Sequence, residues 1–184
     1  LLSRPWHVRS DRDACLRLDL HRLIAERTGI DAGDSSEQGR LCVHASATVH
    51  PSVIFDPEQG DILIDERAVI RPGAIIIGPA FIGSHTHVLE RTLIKANTAI
   101  GPWCKVAGEI GGTIIQGYSN KAHDGHIGDS WIGEWVNLGA GTTNSNLLNT
   151  YGEAVCRATP EGPNERTGET FLGCILGDHV KLAI

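Results

Sequence analysis

From Val43 to Val106, apolar residues return largely on a six-residue step. Val43, Val49, Phe55, Ile64 and Ile70 begin the series, and Ile82, Val88, Ile94, Ile100 and Val106 continue it. Gly, Pro, Ala, Ser or Thr fill the intervals, as in "IGSHTHVLERTLIKANTAIGPWCK". Such a period matches neither the turn of an amphipathic helix, about 3.6 residues, nor the alternation of a simple strand, about 2. It is the hexapeptide signature of a β-helix, in which one apolar side chain per hexad points inward and small residues let the chain turn a corner.

The composition fits repeated short strands better than a helix bundle. Of 184 residues, 22 are Gly and none is Met, while aromatics make up only 5%, so the core must be built from Ile, Val, Leu and Ala. A net charge of −6 excludes a general nucleic-acid binder, because phosphate backbones need a basic face. Cys15, Cys42, Cys104, Cys156 and Cys174 are odd in number and never form a C-x-x-C pair, a pattern of reduced thiols and not of a disulfide framework or zinc knuckle. No apolar run reaches the length of a membrane span, and "LLSRPWHVRSDRD" has no signal-peptide layout. The expectation is a cytoplasmic protein with no membrane or nucleic-acid partner. The absence of an initiator Met and the stop at "GDHVKLAI" in mid-pattern predict a piece of a longer chain.

The spacing predicts one helix over 10–27, capped by Ser10 or Asp11, with Leu16, Leu20, Leu23 and Ile24 on one face. "TGIDAGDSSEQGR" follows as a polar loop. Residues 1–40 therefore read as a linker and helix from a preceding domain, and 41–184 as the β-helix. The hexads stop between 144 and 170, a polar insertion long enough to expect a function for it. The frame also slips between Val106 and Ile132, across "AGEIGGTIIQGYSNKAHDGHIGDSW". A slip distorts a corner, and distorted corners in repeat folds often mark sites.

The repeat resembles the left-handed parallel β-helix, an all-β fold whose triangular coils take three hexads each. Residues eighteen apart should then stack about 4.8 Å apart along the axis. Arg91 with Glu109, and His87 with Lys105, have that spacing.

At "CKVAGEI…QGYSNKAHDGHIGDSWIGEWVNLGAGTTNSNLLNTYGE" the chain resembles the acetyltransferase half of the bifunctional N-acetylglucosamine-1-phosphate uridylyltransferase/glucosamine-1-phosphate acetyltransferase. It is more similar still to bacterial sugar nucleotidyltransferases related to that enzyme. The resemblance spans roughly residues 43 to 184 and implies an acetyl-CoA-dependent N-acetyltransferase acting on an amino-sugar phosphate or nucleotide sugar, assembled as a homotrimer with sites between subunits. Mg2+ and nucleotidyl transfer belong to the family's amino-terminal domain, which this sequence lacks. The resemblance carries His123 over as the base, and Arg71, Asn137 and Asn146 as substrate contacts, with Lys121 and His126 as further candidate contacts where the sequence departs from the family. Ala140 and Gly141 fall on the backbone near the thioester. No residue carries over as a metal ligand. Three departures stand out. His126 occupies the place of a tyrosine, "VAGEIGG" replaces paired lysines for which Lys105 or Lys121 stand as substitutes, and the insertion replaces a lysine soon after Asn146.

The residue types suit this chemistry. Attack on a thioester needs a neutral amine, and histidine titrates in the range where it can accept the proton. Asp124 or a backbone carbonyl could fix its tautomer, backbone N–H groups of "GAGT" could hold the oxyanion, and Arg71 could clamp a phosphate. Two other readings compete. A non-catalytic trimerising or regulatory β-helix needs the hexads but not the "SNKAHDGH…VNLGAGTTNSN" constellation. A zinc enzyme similar to γ-class carbonic anhydrase would take His123, His126 and a third ligand such as His85 or His87, although the γ-class spacing is longer than His-x-x-His.

Overall fold

Residues 2–28 and 39–182 are described by a computed structural model of the chain. Each hexad lays down one short strand and one corner, and three hexads close a triangular turn of a parallel β-solenoid with five complete turns and two further turns that lack the third-face strand. The first face stacks seven strands from Leu41–Val43 to Ile175–Leu176, and the second stacks seven from Thr48–Val49 to Lys181–Leu182. The third face has five, from Ile54–Asp56 to His126–Gly128. Every pair between turns is parallel. The predicted apolar positions point inward: Ile64, Ile70, Ile82, Val88, Ile94, Ile100 and Val106 are all fully buried or nearly so. Val43, at the open end of the first turn, stays exposed.

Small polar residues tie the turns together at the corners. Ser119 Oγ donates to the carbonyls of Gly117 and Gly133 and accepts from the Val136 N–H. Thr86 does the same work between Gly101 and Cys104. A buried hydroxyl with both roles filled avoids the desolvation penalty of an unpaired one.

The register follows the eighteen-residue rule only in part. His87 stacks on Lys105 as expected. Arg91 does not stack on Glu109; Leu93 does, because the corner after Val106 is two residues shorter than the one after Val88. The next turns are also short, since Lys105 pairs with Asn120, and Asn120 with Asn137. The predicted frame slip is therefore a series of shortened corners.

Helix α1 (His7–Thr28) lies against the outside of the first face, with Leu16, Leu20 and Ile24 packed on Leu63, Cys42, Phe81 and Ala99. It starts three residues before the predicted boundary, through a turn in which the His7 and Val8 N–H groups bond to the Arg4 and Pro5 carbonyls. Proline is favoured in a first helical turn because its missing N–H would have no partner there. Ser10 and Asp11 thus lie inside the helix, and Ser10 donates to Glu169 of the insertion instead of capping. Residues 29–38 of the predicted polar loop lie outside the described residues.

The insertion is an ordered arm. It replaces the third-face strand of the sixth turn, so Trp131 pairs with Ile175 across 44 positions. The arm closes with a bridge between Leu147 and Phe171 and an antiparallel pair, Val155–Cys156 with Glu165–Arg166. Asn144 seals its base, where the side-chain amide accepts from the Gly128 N–H and donates to the Gly128 carbonyl and Ser130 Oγ. An amide side chain thereby stands in for the missing strand. Asp129 joins three elements. Its carboxylate takes Arg9 and Arg12 of α1 at 2.9 Å each and the Asn146 amide at 2.8 Å.

Candidate active site

On the edge between the second and third faces, one turn above the shortened corner at 107–108, the chain makes a full four-residue corner again. The chain leaves the second face at Asn120–Lys121, turns through Ala122 to Gly125, and enters the third at His126. His123 and Asp124 are exposed on that corner. Gly125 makes the turn possible. Its φ is +113°, and a Cβ there would run into the Thr142 carbonyl oxygen of the turn above, so a side chain would be strained and obstructed.

Lys121 lies behind the corner. The sequence points to a substrate contact, but its side chain is 1% exposed, directed into the solenoid in the column of Val106 and Leu138. The ammonium donates to the carbonyls of His123 and Asp124 at 2.6 Å each. Burial pushes its pKa below the usual lysine value, and the negative charge of Asp124 offsets part of that effect. A buried ammonium is tolerated only where hydrogen bonds compensate for lost water, and the two carbonyls do this.

Ala140 and Gly141 form the equivalent corner one turn above and are exposed. Asn137 stands on the second face directly above Asn120 and is half-buried. His126 stands on the third face above Glu109, with Nδ1 at 3.3 Å from Glu109 Oε1, an oxygen that also receives Lys95 Nζ at 3.3 Å. Its Nε2 and the Asn146 amide nitrogen fill the space beside Gly128. A carboxylate beside Nδ1 favours the tautomer with its proton on that nitrogen. Among the described residues no hydrogen bond engages the His123 ring. The expected Asp124 contact is not made, and it is the backbone of His123 that is held.

Two positions lie differently from the sequence expectation. Arg71 occupies the same edge, but its strand pairs through Val88 and Val106 before reaching Lys121. Three turns put it about 14 Å from the His123 corner along the axis. It pairs with Glu90 at 2.9 Å instead, on the surface. Asn146 is spent on Asp129. Glu109 as a neighbour of His126, and Asp129 as a neighbour of Asn146, each lie seventeen residues away and so fall off the eighteen-residue frame.

The proposed zinc ligands do not assemble within the chain. His85 is on the edge between the first and second faces, stacked on Trp103 at 4.0 Å, and His87 projects from the middle of the second face. Among the described residues no group of three or more His, Cys, Asp or Glu side chains converges. The Cys104 thiol is pushed up to about 11 by burial, which makes it a core residue and not a nucleophile. Among the described residues no helix is long and apolar enough to cross a membrane.

No family model matches the chain. The bifunctional protein GlmU of Acaryochloris marina is 29% identical over 146 residues, covering 67% of this chain and 32% of GlmU. The chain is similar in sequence to part of the GlmU proteins. A bifunctional sugar-1-phosphate nucleotidylyltransferase/acetyltransferase of Sulfurisphaera tokodaii is 30% identical over 132 residues, covering 68% of this chain and 31% of that protein. The chain thus spans about a third of the length of these relatives. Among solved structures, PerB from Caulobacter crescentus in complex with CoA and GDP-perosamine superposes with a TM-score of 0.50 at 16% identity, covering 79% of this chain and 67% of PerB. That likeness establishes the shared fold.

Proposed function

We propose that this chain is the acetyl-transfer part of a bifunctional sugar-nucleotide enzyme, moving an acetyl group from acetyl-CoA to the amine of an amino-sugar phosphate or nucleotide sugar. The observation that carries this reading is the exposed His123 corner, held from behind and facing a Gly-rich corner one turn above, in a chain similar to part of the GlmU proteins. The naming of the Sulfurisphaera relative as an acetyltransferase and of CoA in the PerB complex supports it.

In this mechanism the acceptor amine attacks the thioester carbonyl as His123 removes a proton from nitrogen. A positioned base of this kind contributes about 10²–10⁴-fold. The N–C bond forms, the C–S bond breaks, and the proton on His123 passes to the departing thiolate. Backbone N–H groups of the 139–142 corner, including those of Ala140 and Gly141, stabilise the oxyanion. His126, oriented by Glu109, contacts the acceptor where the family carries a tyrosine, and Asn137 contacts it from the second face. Lys105, exposed beside Asn120 on that face, is better placed for a phosphate than Arg71. The catalytic unit is a cytoplasmic homotrimer, with the sugar phosphate bound between subunits.

The test is to incubate the protein with acetyl-CoA and a panel of amino-sugar 1-phosphates and nucleotide-linked amino sugars, following thiol release and the mass of the acetylated product. The reading requires thiol and N-acetyl product in equal amounts with at least one acceptor. Absence of both, from an intact trimer, would leave a scaffold in its place.

A further inference from the structure

Lys121 occupies a position where every other turn of the solenoid places an aliphatic residue. Along the inward column of the second face run Val49, Ile70, Val88, Val106, Lys121, Leu138 and Leu182. For folding alone, another aliphatic side chain would serve this slot, and replacing a buried charge by a well-packed apolar group is often neutral or stabilising. The charge therefore calls for another explanation.

The contacts provide one. The ammonium sits under the peptide planes of 123 and 124 and binds both carbonyls at 2.6 Å. These bonds pull two successive carbonyl groups toward the core, which fixes the path of the corner and turns the His123 and Asp124 side chains outward. Beside them, the Glu109 N–H donates to the Gly125 carbonyl, and Gly108 packs closely beneath Asp124 and Gly125, so Lys121 is what holds the carbonyls of 123 and 124 themselves. Among the described residues the His123 ring has no hydrogen bond, and Gly125, with φ of +113°, is the most permissive residue type just beyond Asp124. The turn below contributes Ala107 and Gly108, whose corner is two residues shorter.

We propose that Lys121 is a positioning residue for His123: a buried cation, kept at a cost in stability, that clamps the backbone of the corner so that the imidazole meets the acceptor in one orientation. The role rests on the acetyl-transfer reading given above. It requires Lys121 to act on turnover without touching substrate, and so separates its effect on stability from its effect on rate.

The experiment compares Lys121→Met and Lys121→Gln with wild type in the full chain. Thermal unfolding, kcat and KM for both substrates, and the His123 imidazole resonances, assigned with His123→Gln, are measured on each. The methionine variant should melt at or above the wild-type temperature. Its kcat should fall about 10- to 100-fold, the range that misplacement near a reacting centre produces, with little change in KM for acetyl-CoA. Its His123 resonance should shift or broaden. Lys121→Gln, which keeps N–H donors, should recover part of both signals, and it carries the test should the methionine variant fail to fold. Wild-type kcat and an unmoved His123 resonance in a folded variant would overturn the proposal. If wild-type protein releases no thiol, the acetyl-transfer reading fails, and the resonance alone then decides whether Lys121 holds the corner.

Discussion

Replacing Asp129 by alanine removes the carboxylate on which α1, the arm and the third-face corner all converge. Its Oδ1 accepts from Arg12 and forms an ion pair with Arg9, and its Oδ2 accepts from the Asn146 amide. The Arg12 side chain is only 4% exposed and that of Asp129 15%, so the pair is not a screened surface contact. Breaking a buried pair by removing one partner costs about 3–5 kcal/mol. Arg12 retains Asp13, at 2.7 Å, and the Gly112 carbonyl, so the low end applies, about 3 kcal/mol. For a domain of this size that lowers the melting temperature by about 6–12 °C. A double-mutant cycle with Arg12→Met isolates the pair itself, and the coupling should be about 1.5–3 kcal/mol. The arm should also loosen, since Asn146 loses its partner, and trypsin should cut at the exposed Arg157 and Arg166 sooner than in wild type. A coupling near zero, or an arm as resistant as before, would refute the idea that Asp129 holds these elements together.

Other consequences follow from the same geometry. Ile110, fully buried between Ile94 and Ile127, should cost about 2–5 kcal/mol on truncation to alanine in denaturant unfolding, whereas Leu148→Ala on the exposed arm should cost under about 0.5 kcal/mol. Gly125→Ala must adopt φ of +113° against the Thr142 carbonyl, so it should displace the His123 corner. The expected result is a destabilisation of about 1–3 kcal/mol with loss of turnover. Lys121 has its folded-state pKa lowered by burial from the ordinary 10.5. The unfolded chain therefore holds that proton more tightly, and stability should rise with pH between the folded value and 10.5. Lys121→Met should flatten that slope in unfolding measured across alkaline pH.

Much of the fold was legible because a six-residue period has few structural solutions. The inward aliphatics, the packing stripe of α1 and the position of the insertion all followed from spacing. Spacing failed where the chain shortened its corners. Glu109 and His126 are seventeen apart and Lys105 and Asn120 fifteen, so a fixed frame of eighteen hides both pairs. The same shortening hid the burial of Lys121, since its place beside Val106 appears only once the step is known. Arg71 was assigned by motif, and a motif does not count turns; three of them separate it from His123. The start of α1 was missed for a local reason, because Pro5 in the first turn is a weaker cue than a capping Ser or Asp.

The central claim is that His123, and not His126, removes the proton. The most direct test compares His123→Ala with His126→Ala in the thiol-release assay on the preferred acceptor. Loss of the base should lower kcat about 10²–10⁴-fold, whereas His126→Ala should mainly raise KM for the acceptor. Turnover that survives in His123→Ala, or a collapse of kcat in His126→Ala alone, would contradict the account and move the base to the Glu109-oriented imidazole.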